Sequence, residues 1–537
     1  MQYLKRPKIQ LLLIVIITFL VYSNIFKNQF LLDDFDFILN WQTAHGITKI
    51  PELLAGSVPP GHEGIYRPLR SIFYVISYQL WHTNTLGYHL QALFIHLICT
   101  VLVYFIAWEI LKNQKLFAFI AALLFGLHPI HVEEVTYITA SFDTIGIAFF
   151  FLAFYLYLKK RYGLSFFSAL LAFFTYEITL ILPLLLIFYE WSFRRKPFRY
   201  LSQQWKVYGI YSIGIGAYIF IRVGLVHIIN RGEWVGGSLF TTGILMMKVF
   251  LKYLLLLFVP INLSIVHVLA GNIPTLGIPD IKQQMLTKSV LFGFDMWLGL
   301  FALIGSVFLV VYLRKKFSLL SFAIGWFLIA LLPVSQLVPL QVLMGEKYLY
   351  IASFGFVLII SVILSPALSG RRISSRGRSF ASLRMTILLL IVIFYGIVTF
   401  LRNADWQSGL TIWRDAAKKY PKSASAQYNS AVILTQNNKL EEAITFYELA
   451  INADASYEPA LTNLGFVYLQ IGNLPQALSM FKKAKVIKPD FYPIEYGLGM
   501  VYLKTGEVRK AREAFNRALQ DNPSFLPAKE ALLGIEL

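Results

Sequence analysis

At 537 residues the chain has room for several domains, but 57% hydrophobic and 14% charged content, with a mean hydropathy of +0.62, fits no soluble globular class. The formal net charge of +19 resembles a nucleic-acid signal until it is located: residues 401–537 hold 16 Lys/Arg and 14 Asp/Glu, whereas residues 1–400 hold 32 and 15. An excess confined to the apolar part belongs to short loops that set membrane orientation, so no nucleic-acid partner is expected.

The chain opens with Lys5, Arg6 and Lys8 before the apolar run Ile9–Phe26. No small-residue cleavage site follows, which predicts an uncleaved first span with a cytoplasmic N-terminus. Directly after it comes Leu31-Leu32-Asp33-Asp34-Phe35-Asp36. Adjacent carboxylates beside apolar residues raise one another's pKa toward the range useful to a general base, although a solvated turn or helix cap reads equally well. The loop 27–87 is too long for a simple connector, and Pro68–Trp81 within it has helical spacing suited to the membrane surface. At its start, Tyr66-Arg67-Pro68-Leu69-Arg70 offers guanidinium forks for a lipid phosphate, or arginines that only snorkel to headgroups.

With a span needing about 20 apolar residues, eleven spans are expected, at 9–26, 88–111, 115–128, 143–158, 164–176, 178–193, 207–228, 291–313, 317–334, 347–366 and 385–401. The stretch 246–260 carries Lys248 and Lys252 one turn apart and is expected to be re-entrant or interfacial. Basic clusters at Lys112/Lys115, Lys159–Arg161, Arg194–Arg199, Arg314–Lys316 and Arg371–Arg384 then share the cytoplasmic side. Of the 15 acidic residues before position 400, all but Glu109 and Glu190 fall on the outer face. That face is where the chemistry is expected.

Three further groups lie there. His128-Pro129-Ile130-His131-Val132-Glu133-Glu134, followed by Asp143, has metal-ligand residue types but not the HExxH arrangement, and hydrogen-bonding a sugar or orienting a base suits it better. Glu177 and the run Glu346-Lys347-Tyr348 stand at helix entrances, where an acid also answers the helix dipole. No metal ligand is assigned, and the lone Cys99 excludes a disulfide framework.

After residue 402 a period of 34 residues emerges. Leu464, Gly465, Tyr468, Ala477, Phe481, Ala484 and Pro489 recur as Leu498, Gly499, Tyr502, Ala511, Phe515, Ala518 and Pro523. A degenerate copy with Ala431, Ala443, Tyr447 and Ala450 precedes them. This predicts a tetratricopeptide-repeat α-solenoid with repeats at 424–457, 458–491 and 492–525.

In order, FLLDD, YRPLRS, HPIHVEEV, TYEITLILPLLLIFYEW, LPVSQLVP, GEKYLYIASFGF and RNADWQS, followed by repeats, resemble the transmembrane and tetratricopeptide-repeat O-mannosyltransferase family. The resemblance covers nearly the whole chain. It implies an all-α, polytopic GT-C-like helical bundle at 1–401 and a repeat domain at 402–537. It also implies a polyprenyl-phosphate sugar as donor substrate, with no certain cofactor and the need for a divalent metal left open. Residue by residue, Asp33 and Asp34 fall on the family's acidic pair, His128, His131 and Glu133 on its HP-x-H-x-E motif, Glu177 on its Lys-Glu and Glu346 on its Glu-Arg. Tyr176, Lys347 and Ser141 depart from the family's cations.

The expected function is transfer of a sugar, mannose by resemblance, from the lipid-linked donor to Ser/Thr hydroxyls of an acceptor polypeptide gathered by the repeats. Asp33 or Asp34 is the expected base and Arg67, Arg70 and Lys347 the expected phosphate contacts. A transporter or flippase, or a non-catalytic scaffold using its repeats, is the alternative. The expected location is the bacterial inner membrane with periplasmic repeats, or else the endoplasmic reticulum with luminal repeats.

Overall fold

Apolar runs that meet the hydrocarbon core satisfy their backbone only from within, and here they fold as helices. The computed structural model describes residues 6–112, 114–228, 232–269, 273–275, 281, 285–363 and 375–536. The chain divides into two compact units, Met1–Ser408 and Gly409–Leu537.

The first unit contains α1 (Pro7–Tyr22), α2 (Pro68–Trp81), α3 (Thr85–Ile110), α4 (Lys115–Gly126), α5 (Val132–Thr136), α6 (Ile138–Leu158) and α7 (Tyr162–Thr175). It continues with α8 (Leu182–Phe193), α9 (Trp205–Ile219), α10 (Leu239–Phe258), α11 (Phe294–Leu313), α12 (Ser318–Ala330), α13 (Leu349–Ile363) and α14 (Ser375–Asp405). A short antiparallel pairing of Val268–Leu269 with Ile273–Pro274 is the strand structure among the described residues. Residue 402, where the composition changes, falls inside α14, and the compact unit runs on to Ser408.

Among the described residues eight helices are long and apolar enough to cross a membrane, or nine if α4 and the bent stretch Pro129–Thr136 form one broken span. This corrects the expected eleven. The reason is length: α7, α8 and α12 have 14, 12 and 13 residues, short of the roughly 20 of a full crossing. The stretch 246–260 lies mostly within α10, whose 20 residues do pass by length and composition. At its start Val235 N donates to Thr242 Oγ1 at 2.8 Å beside Trp234, whose Nε1 reaches Gln336 O. Near its end the Tyr253 hydroxyl lies 3.3 Å from Gly345 O. Midway, Lys248 pairs with Asp295 at 2.9 Å.

Several buried polar groups of this unit pair across helices, which offsets the cost of a low-dielectric interior. Tyr104 donates to Gln10 at 2.7 Å, joining α3 to α1. Asn403 accepts from Thr136 and donates to Val21 O and Asn24, which ties the end of α14 to the end of α1 and to α5. Glycine lets α13 touch α12: a Cβ on Gly355 would collide with the carbonyl of Ala323. The basic loops meet one another, with Lys159 on Glu109 and Arg314 Nε donating to Trp191 O at 2.9 Å. Lys5, Arg371 and Arg372 lie outside the described residues.

The second unit is a row of helical hairpins, α15 (Gly409–Lys419) with α16 (Ala424–Gln436), then α17 (Leu440–Ala453), α18 (Glu458–Gln470), α19 (Leu474–Ile487), α20 (Tyr492–Lys504), α21 (Val508–Asp521) and α22 (Leu526–Glu536). Ala443, Ala477 and Ala511 are fully buried, as the small residues of the repeat require. The hairpin turns repeat as well: Asn438, Gly472 and Gly506 have φ of 56°, 80° and 80°, a left-handed conformation that Gly and Asn adopt at least cost. A Cβ at Gly465 would lie 2.7 Å from the Phe481 ring. Gly465→Trp is therefore expected to destabilise the repeat stack while the first unit still inserts, the overpacking costing about 3 kcal/mol, the upper end of its usual range. Thermal unfolding of fragment 409–537 checks this, and an unchanged transition would refute the register.

Candidate active site

The loop after α1 separates the two members of the acidic pair. Leu32 adopts φ 49°, and past this turn Asp34 is fully buried while Asp33 is exposed. Asp34 Oδ1 accepts from Thr139 N at 2.7 Å and from Thr139 Oγ1 at 2.5 Å, and Oδ2 accepts from Leu31 N at 2.9 Å. Burial pushes this carboxyl up to about 7 against the pull of those hydrogen bonds. With three donors placed on it, Asp34 is a fastening between the loop and α6. Asp33 is free to act on a ligand.

Asp33 lines a cavity of about 330 Å³ together with Arg67, Arg70, Asp143 and Lys347. Four separate chain segments thus deliver two carboxylates, Asp33 and Asp143, and three cations to one space. Arg67 Nη1 donates to both oxygens of Asp143 at 2.7 Å, while its Nε and Nη2 clasp Glu177 at 2.7 and 2.8 Å. Arg70 Nη1 adds a bond to Asp143 at 2.9 Å. Burial disfavours the Arg67 charge, and Asp143 and Glu177 outweigh it, holding the guanidinium pKa well above its ordinary value. The ring of Tyr176 supports Arg67 from a face, 4.6 Å from its Cζ. The residue that departs from the Lys-Glu pattern thus carries a cation instead of being one.

Glu133 and Glu346 are supports. Glu133 Oε2 accepts from Lys347 N at 3.0 Å, fixing the turn that presents Lys347. Glu346 is buried away from the cavity, where Oε1 accepts from Ser264 N at 2.5 Å and lies 2.9 Å from His267 Nε2. The two motif histidines, expected at a sugar, do not line this cavity. His128 Nε2 lies 3.1 Å from Leu257 O and His131 Nε2 lies 2.8 Å from Ser353 Oγ, both rings fully buried among Phe125, Tyr350 and Tyr395. They join helices within the bundle and do not line the cavity.

Tyr348, the neighbour of Lys347, also lines the cavity, as do His62 and Tyr137, which were not singled out in the sequence. Asp33, Asp36 and His62 hold ligand atoms within 4.8 Å of one another, with His62 Nε2 at 3.1 Å from Asp36. Two carboxylates and an imidazole suit a divalent ion, which would supply Lewis acidity beside Asp33. An apolar cleft of about 450 Å³ meets the cavity at Leu340, lined by Leu180, Ile181, Leu184, Leu337 and Val338, with Glu177 and Arg222 as its charged residues. In the repeat unit a groove of about 220 Å³ presents Thr435, Gln436, Asn463 and Gln470 above Val432 and Phe466.

Comparison with known proteins agrees with this architecture. Family models described as tetratricopeptide repeat match residues 398–459 and 494–525. A protein O-mannosyl-transferase of Caenorhabditis elegans is 24% identical over 83% of this chain and 63% of its own length. Protein O-mannosyl-transferase TMTC3 of Homo sapiens is 22% identical over 85% of this chain and 52% of its own. Over a shorter stretch, TMTC1 of Homo sapiens is 37% identical across 17% of this chain and 10% of its own. The chain is similar to these transferases, and it spans between about half and two thirds of the length of the first two relatives.

Proposed function

We propose that the chain transfers a sugar, mannose in the first instance, from a polyprenyl phosphate to Ser or Thr hydroxyls of a protein, with inversion, on the non-cytoplasmic side of the membrane. The observation that carries this reading is the cavity in which Asp33 shares one space with Arg67, Arg70 and Lys347. The acceptor oxygen attacks the anomeric carbon, its proton passes to Asp33, and the bond to the phosphate oxygen breaks. The three cations stabilise the negative charge that builds on the departing phosphate. The apolar cleft that meets the cavity at Leu340 offers the prenyl chain an apolar path. The uncharged amides of the repeat groove suit the backbone of an extended acceptor. The side assignment rests on the basic loops, which converge with one another and carry none of the cavity residues.

The test is direct. The purified full chain, reconstituted in liposomes with a panel of polyprenyl-phosphate sugars and a Ser/Thr-rich polypeptide, is expected to consume one donor and yield protein-linked hexose. No turnover with any donor would overturn the reading.

A further inference from the structure

Asp33 can act as a base only if its backbone holds still, and its turn is strained. Leu32 is a non-glycine residue at φ 49°, a conformation that costs roughly 1 kcal/mol and persists only where neighbours enforce it. Asp34 fastens the turn from inside. From the cavity side the fastening is Tyr137, whose phenol oxygen accepts from Asp33 N at 3.0 Å.

Tyr137 stands at the joint between α5 and α6. Its ring is buried and stacks on Trp406, with centroids 5.7 Å apart and planes 23° off parallel. Trp406 follows the end of α14 and is itself 1% exposed. The ring is thus clamped, and Tyr137 lines the cavity with its phenol oxygen on the backbone of Asp33, a residue that lines it too. By accepting from Asp33 N, the phenol oxygen keeps its own proton available, and no described side chain or backbone group receives it. A neutral donor of this kind matches a neutral oxygen, whereas the phosphate is matched by the cations of the same cavity.

We infer that Tyr137, clamped by Trp406, positions Asp33 and donates its phenol hydrogen to a hydroxyl oxygen of the sugar being transferred. The inference rests on the proposed transferase reading of the same cavity. It assigns to Tyr137 both a positioning role, through the backbone of Asp33, and a direct contact with substrate. Trp406 is a positioning residue alone.

The experiment uses the full chain in liposomes with polyprenyl-phosphate mannose and a series of its monodeoxy analogues. Tyr137→Phe retains the stack and removes one oxygen, and it is expected to lower kcat/KM about tenfold, the value of one hydrogen bond made in the transition state, with an unchanged melting temperature. One monodeoxy donor should lose a similar factor with the wild type and nothing further with Tyr137→Phe, a coupling that a merely structural role would not produce. Trp406→Phe should keep most activity, while Trp406→Ala should lower kcat with little change in donor KM. Wild-type kinetics in Tyr137→Phe, or equal further losses on every deoxy donor, would overturn the inference. Asp33→Asn run in parallel separates the two claims: full turnover in that variant refutes Asp33 as the base, while the deoxy-donor coupling still decides the contact by Tyr137.

Discussion

Asp33→Asn is expected to lower turnover by on the order of a hundredfold or more while donor binding stays intact, because it removes the base and keeps the side chain's size. Its carboxylate is exposed in the cavity, so the loss of charge disturbs no buried partner. Asp34→Asn should behave differently. The amide nitrogen would meet Leu31 N or the Thr139 donors where a carboxylate oxygen now accepts, and a buried donor left unpaired costs about 1–3 kcal/mol. The expected result is a lower melting temperature, with an activity loss that follows misplacement of Asp33.

The pH dependence separates the two further. Burial raises the Asp34 carboxyl from the ordinary 3.8 to about 7, so the folded state keeps this proton to a higher pH than the unfolded chain. Its contribution to stability is complete below about pH 4 and is lost as pH rises through about 7. Melting curves across that window should show the slope in the wild type and in Asp33→Asn, and a flatter one in Asp34→Asn. Equal turnover in both variants and the wild type would remove the acidic pair from the mechanism.

Arg67→Met is expected to cost both stability and activity. Arg67 is the bridge between Asp143 and Glu177, with four nitrogen–oxygen distances of 2.7 to 2.8 Å. Without it Asp143 keeps Arg70, and Glu177 loses the guanidinium that clasps both its oxygens. Breaking a buried pair from one side costs about 3–5 kcal/mol, enough to lower expression as well as melting temperature. Arg67→Lys should recover little, since an ammonium cannot fork to two carboxylates. The combination Arg67→Met, Glu177→Gln, Asp143→Asn removes the two carboxylate charges that Arg67 balances and should restore much of the stability without restoring transfer. Recovery of full transfer in that triple variant would show that the network serves the fold alone.

The repeat unit was legible in the sequence because its contacts are local. Gly465 meets Phe481 and Gly499 meets Phe515 within single hairpins, so the register is written in a 34-residue period. Helix α2 was legible for the same reason, down to its Pro68 and Trp81 bounds. The number of full-length crossing helices was not, because apolar composition does not say where a helix breaks, as at the bend between α4 and Pro129–Thr136.

The sequence by itself determined that this chain is an apolar helical bundle followed by repeats, and it brought the acidic pair, Arg67, Arg70 and Lys347 into view. Only the tertiary structure decided which of them share a space. Asp33 and Asp34 are neighbours with the same chemistry, and it is Thr139, 105 residues away, that takes one of them inward. Arg67 meets Glu177 across 110 residues, Glu346 turns to Ser264 across 82, and His131 turns to Ser353 across 222. Periodicity records contacts within a turn or a hairpin; it carries no record of which distant helix will supply the partner for a buried charge, and that partner decides whether the charge fastens the fold or meets the substrate.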